Sequence, residues 1–212
     1  KSGRGNHATQ ATTTKRPVYS RRVNLLTKTE EITPFLAPGS VWAHGAFRNW
    51  TIPLNLGAQL APNGTNTAVG LRSAGTGGIS SAVQRVNVSP GTNIVFRVWV
   101  RKVEGEDQSG LAGLCLIFQT GNNGTLVDSY AKMVLIGNTV TSNWQQFEIS
   151  YTTPATGVNQ VEAGILFTSV STAAVAVWGA SLTFATDAHL PYQWVNTDTD
   201  YDADPSKFPA YR

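Results

Sequence analysis

The segment Thr92–Val103 constrains the fold more than any other in the chain. Ile94, Phe96, Val98 and Val100 alternate with Val95, Arg97, Trp99 and Arg101. Strict alternation over this length places one set on each face of an extended strand. No helix tolerates that pattern with its apolar residues buried. Short runs of the same kind recur along the chain, each closed by a turn signal. Ser40–Phe47 and Thr51–Asn55 read as two short strands, followed by the turn Ala61-Pro62-Asn63-Gly64-Thr65. Thr67–Ser73 precedes Gly75-Thr76-Gly77-Gly78, and Ile79–Val88 ends at Ser89-Pro90-Gly91. Leu111–Gln119 is continuously apolar and reads as a central strand. Thr125–Ile136 fits a strand or a short helix. Trp144–Tyr151, Val161–Ser169 and Ala173–Phe184 complete the set.

Nine or ten strands without a convincing helix predict an all-β fold, a jelly-roll-like β-sandwich over residues 33–186. Its core is expected to hold Phe96, Val98, Leu114, Leu116, Phe147, Ile149 and Val177. Extended segments flank it: a basic N-terminal arm over 1–32 and an acidic C-terminal tail or linker over 187–212. The arm carries seven Lys/Arg against Glu30 and Glu31, net +5. The tail carries five Asp against Lys207 and Arg212, net −3. The arm's first residues are Gly, Ser, Thr, Asn and Gln with scattered charge, too polar to fold alone. The sequence opens on Lys1, not Met, and is read as a processed product or a portion of a longer polypeptide.

The chemistry of enzymes is not evident. His7, His44 and His189 have no metal-ligand spacing with Cys115 or with one another. Phosphate loops, nucleophile elbows and zinc motifs do not occur. Glu104, Glu106 and Asp107 share one polar loop, and Glu148 and Glu162 fall on outward strand faces, so no acid/base pair is predicted. Asp198, Asp200, Asp202 and Asp204 are spaced like calcium ligands. They lack the mid-loop Gly and closing Glu of an EF-hand, so no metal and no cofactor are expected. Cys115, in an apolar run, reads as a buried small hydrophobe. The chain lacks an apolar stretch of membrane-helix length, and membrane insertion is not expected. The basic arm has no matching stripe on the folded part, so no nucleic acid is expected either.

Two candidate sites remain. Arg97, Trp99 and Arg101 share a strand face, where a tryptophan between two guanidinium groups suits an interface first and a sugar platform second. Arg16, Arg21 and Arg22 in the arm complement Asp198, Asp200 and Asp202 in the tail. That pairing predicts a homo-oligomer in which the arm lies along a neighbouring copy, with Val18, Tyr19, Val23, Leu25 and Leu26 buried there.

Several segments resemble tailed-bacteriophage virion proteins of the tail-fibre, head-fibre or spike type. The Lys1–Thr12 stretch and Arg16-Pro17 are similar to a recurrent phage segment. Arg22–Glu30 resembles the lead-in to a jelly roll similar to carbohydrate-binding modules. Ala61–Thr65, Phe96–Lys102, Trp178–Leu182, Pro191-Tyr192-Gln193 and Thr199–Asp202 match its turn, central strand, end strand and exit. The acidic residue usual after the end strand is absent here. The resemblance covers nearly the whole chain and brings no agreed binding residues. It implies a non-enzymatic fibre, spike or decoration subunit located in the virion, trimeric by preference, contacting other virion proteins. The alternative it leaves open is a receptor-recognition module for host surface glycan.

Overall fold

The computed structural model describes residues 24–30, 32, 42, 52–74, 79–104, 111–119, 132–137, 139–168, 174–189, 192 and 195. Among them are nine strands: β1 (Leu54–Gln59), β2 (Ala68–Arg72), β3 (Ser80–Asn87), β4 (Asn93–Lys102), β5 (Leu111–Gln119), β6 (Lys132–Leu135), β7 (Gln145–Thr152), β8 (Gln160–Thr168) and β9 (Ala174–Phe184). One turn of 3-10 helix follows at Ala185–Asp187. They form two antiparallel sheets, ordered β1-β2-β9-β4-β7 and β3-β8-β5-β6. The fold is the expected jelly-roll-like β-sandwich.

The core is built by alternation. Ile94, Phe96, Val98 and Val100 of β4 share one buried core with Ala112, Leu114, Leu116 and Phe118 of β5. Val177, Leu182 and Ile149 join from the first sheet, Ile165 and Phe167 from the second. Burying each large side chain contributes about 1.5–3 kcal/mol. Of the seven expected core residues only Phe147, on edge strand β7, is partly exposed. Gly164 lets two strands approach. A Cβ there would lie 2.0 Å from the Ala82 carbonyl oxygen, so any side chain must push β3 and β8 apart.

β1 runs later than the expected Thr51–Asn55, because a bulge between Asn55 and Gly57 resets its register and lets pairing continue to Gln59. The turn into β2 is as expected. Asn63 Oδ1 accepts the Thr65 amide at 3.1 Å, and Gly64 takes φ +82°. Of Thr125–Ile136, Lys132–Leu135 is strand, and of Ser40–Phe47 only Trp42 is described.

Leu25 and Leu26 do not wait for a neighbouring copy. Residues 24–29 run along the edge of β9 that β2 leaves free. Leu25 N–H donates to the Leu182 carbonyl at 2.8 Å, and Ala180 N–H donates to Thr29 at 2.9 Å. Asn24 completes the ladder with its side chain, donating to the Ala180 carbonyl and accepting from Leu182 N–H. Leu26 and Ile32 are fully buried in the core. At the other end Val195 is fully buried, and its carbonyl accepts from Thr29 N–H.

Candidate functional site

The outer face of the five-stranded sheet gathers the aromatic and basic side chains singled out in the sequence. The pairing of β4 with β9 sets Trp99 opposite Trp178, and its pairing with β7 sets Trp99 opposite Gln146 and Arg97 opposite Glu148. A bulge between Arg97 and Trp99 is absorbed by Gly179, at φ +64°. A Cβ on Gly179 would meet Trp99 Cδ1 at 3.3 Å, so this position holds the indole close to the sheet.

The floor of this face is made of small residues. Ala68 packs with Trp178, and Ala174 and Ala176 pack with Trp144, while Gly70 makes room for Leu56 and Gln59. Trp178 is fully buried and donates through Nε1 to Thr67 Oγ1 at 3.0 Å, which makes it structural. Tyr192 packs on it with ring centroids 5.2 Å apart and is held by a 2.7 Å contact between its hydroxyl and Thr29 Oγ1. Trp144 comes from the segment just before β7. It packs against Ala174, Ala176 and Val103 and donates through Nε1 to the Leu60 carbonyl at 3.2 Å. Trp99 and Trp144 both remain half-buried.

Arg97, Trp99 and Arg101 do share one face, but the two arginines do not sandwich Trp99. Arg97 donates through Nε to Glu148 Oε2 at 2.6 Å and through Nη1 to the carbonyl of Ala188, at the C-terminal end of the 3-10 turn. Both contacts fix the strand end and the exit segment. Arg101 instead places its guanidinium over the Trp144 ring, 5.3 Å from the centroid. It donates to the Lys102 carbonyl at 3.2 Å and lies 3.5 Å from Gln59 Oε1. Sequence reasoning did not single out Trp144. Its only signal was its position ahead of an alternating strand; the contact with Arg101 depends on which strands are neighbours.

The second sheet's outer face is of a different character. Val83, Cys115, Ile117 and Leu166 form a buried apolar cluster. Beside it Arg85 and Glu162 pair at 2.7 Å. Glu162 lies on the outward face as expected, but it is buried rather than solvated, with Arg85 as its partner. Burial, and secondarily the charge of Glu162, push the Cys115 thiol well above the usual thiol range, so it stays protonated and unreactive. His189 is exposed, while His7 and His44 lie outside the described residues. So do Arg16, Arg21, Arg22, Asp198, Asp200 and Asp202. No group of three potential metal ligands occurs among the described residues. No helix among them is long and apolar enough to cross a membrane.

Neither a protein-family profile nor a curated protein matches the sequence. Solved structures do match in fold. The chain is similar to the crystal structure of the enzymatically active domain of bacteriophage CBA120 tailspike protein 4, with a TM-score of 0.55 and 12% identity, covering 76% of this chain and 21% of that one. It thus spans well under two thirds of that protein's length. Its fold is also similar to a family 4 carbohydrate-binding module (TM-score 0.46, 14% identity, 76% of this chain and 99% of that one). A family 61 module in complex with β-1,4-galactotriose gives a TM-score of 0.43 at 16% identity, over 76% of this chain and 98% of that one. At these identities the shared property is the fold.

Proposed function

We propose that the chain is a non-catalytic carbohydrate-binding module carried on a bacteriophage virion protein, where it recognises a glycan of the host surface. The half-buried pair Trp99 and Trp144, set beside the exposed polar side chains of Gln146 and Glu148, carries this reading. Sugar rings present C–H faces that pack on indoles and hydroxyls that need such donors and acceptors. The fold likeness to a tailspike domain and the phage-like Lys1–Thr12 stretch support the virion setting. The chain assembles there as a homo-oligomer, a trimer by preference, beside other virion proteins.

A glycan array probed with the whole chain tests the reading. Binding that Trp144→Ala and Trp99→Ala each weaken about tenfold or more, close to 1.4 kcal/mol, is expected. Product release from bound polysaccharide would refute the non-catalytic assignment.

A second reading, a purely structural fibre, spike or decoration subunit, is favoured by one observation. Arg97, on the same face, is engaged in holding Glu148 and the exit segment. Absence of binding to any glycan at high protein concentration would select it.

A further inference from the structure

The arginines of this face differ in one respect that bears on the ligand. Arg97 has a carboxylate, Glu148, at 2.6 Å, and on the other sheet Arg85 has Glu162 at 2.7 Å. No carboxylate among the described residues reaches Arg101. Its hydrogen bonds go to one carbonyl at 3.2 Å and one amide oxygen at 3.5 Å. A guanidinium has five N–H donors, so several remain for something else. Its position is fixed all the same, because it rests over the Trp144 ring. A cation immobilised on an indole, half-buried and with no counter-charge among the described residues, is prepared for an anion that comes with the ligand.

The neighbouring charges favour this. Glu148, opposite Arg97, is neutralised by it. Trp99 and its partner Gln146 separate that ion pair from Arg101 along the ladder. Of these three charged side chains on β4 and β7, Arg101 is the one whose charge no described carboxylate compensates. Accepting one more anion there repels nothing that Arg97 has not already balanced. The half-buried indoles of Trp99 and Trp144 supply apolar surface for a ring, and the guanidinium rests over the second of them.

Resting on the carbohydrate-binding reading above, we propose that the glycan taken by this face is acidic, with a sugar carboxylate received by Arg101 while the ring packs beside it on the half-buried indoles of Trp99 and Trp144. A planar fork meets a carboxylate through two parallel N–H bonds, a geometry a lysine cannot reproduce.

Calorimetry with the full chain tests this against polygalacturonate, alginate and hyaluronan, each paired with its own methyl-esterified form. Esterification removes the charge and keeps the sugar. At least one free acid is expected to bind ten times more tightly than its ester. Arg101→Gln should abolish that difference, and Arg101→Lys should restore only part of it. Lys132→Gln removes the same formal charge from the other sheet and should leave binding unchanged. Thermal melts of each variant establish that it folds.

Equal binding of acid and ester, or an Arg101→Gln variant that keeps the difference, overturns the proposal. Loss in Lys132→Gln as large as in Arg101→Gln also overturns it, since the attraction would then be to net charge. Binding of dextran sulfate but of no carboxylate polymer overturns the choice of carboxylate. Neutral glycans bound on the array while every acid fails would overturn the proposal and leave the carbohydrate-binding reading standing. If nothing binds, both fall.

Discussion

At position 179 the chain takes a left-handed conformation beside two aromatic rings. An L-residue in that region costs about 1–2 kcal/mol. An added methyl would also press on Trp99 Cδ1 at 3.3 Å. Gly179→Ala is therefore expected to destabilise by about 1–2 kcal/mol and to shift the tryptophan emission. An unchanged urea midpoint would contradict the geometry. Cys115 makes a pH-dependent prediction. Its thiol pKa is raised by burial, so the folded state keeps the proton that the unfolded state releases above about 9.0. The unfolded state then binds fewer protons, and stability falls as pH rises past that value. The fall should be smaller in Cys115→Ala, as read from urea midpoints between about pH 8 and 10. Iodoacetamide should leave the native thiol unmodified and label it in denaturant. The shared face of Arg97, Trp99 and Arg101 was legible from period two alone. What each guanidinium touches was not, because Glu148, Ala188 and Trp144 come from segments 51, 91 and 43 residues away in sequence.

Apolar patterning between turn signals located β2, β3, β4, β7, β8 and β9 within a residue or so at each end, and a continuous apolar run located β5. It failed where pairing does not follow alternation. The bulge in β1 depends on Gly57 Cα conformation and on Asn55, whose side chain accepts the Gly57 amide at 2.7 Å. Residues 24–29 gave no periodic signal, since much of their attachment is through side-chain amides. Gln84 of β3 accepts Thr27 N–H at 2.7 Å and donates to the Thr27 carbonyl at 2.8 Å, so one buried amide holds both backbone groups of a residue from the opposite layer. Gln84→Ala leaves that donor and acceptor unsatisfied, at a cost of about 1–3 kcal/mol. Hydrogen exchange should quicken at the amides of Leu25, Thr27 and Ala180, while those pairing β5 with β8 hold. Uniform acceleration throughout the sandwich would mean that the segment is not a separate unit but part of the global unfolding step.

Across the whole molecule the charge is distributed by region: the first 32 residues are strongly basic and the last 26 acidic, while the sandwich between them is nearly neutral. The described packing begins at Asn24, so a cut after residue 22 removes six Lys/Arg and no carboxylate without touching the ladder on β9. The interlock of arm and tail between copies makes a definite claim about that cut. Light scattering should show the assembled mass fall toward that of a single chain. The sandwich's own denaturant transition should persist, because Leu26, Ile32 and Val195 remain in place. The full-length assembly should also loosen in salt. Exposed pairs contribute only about 0–1 kcal/mol each, and at 1 M salt the screening length shrinks to about 3 Å. A deletion variant with unchanged mass and unchanged thermal stability would show that Arg16, Arg21 and Arg22 do not hold copies together. Any oligomer would then have to be built from the sandwich itself, where Leu54 on β1, Met133, Val134 and Leu135 on β6 and Phe184 on β9 are exposed apolar residues among those described.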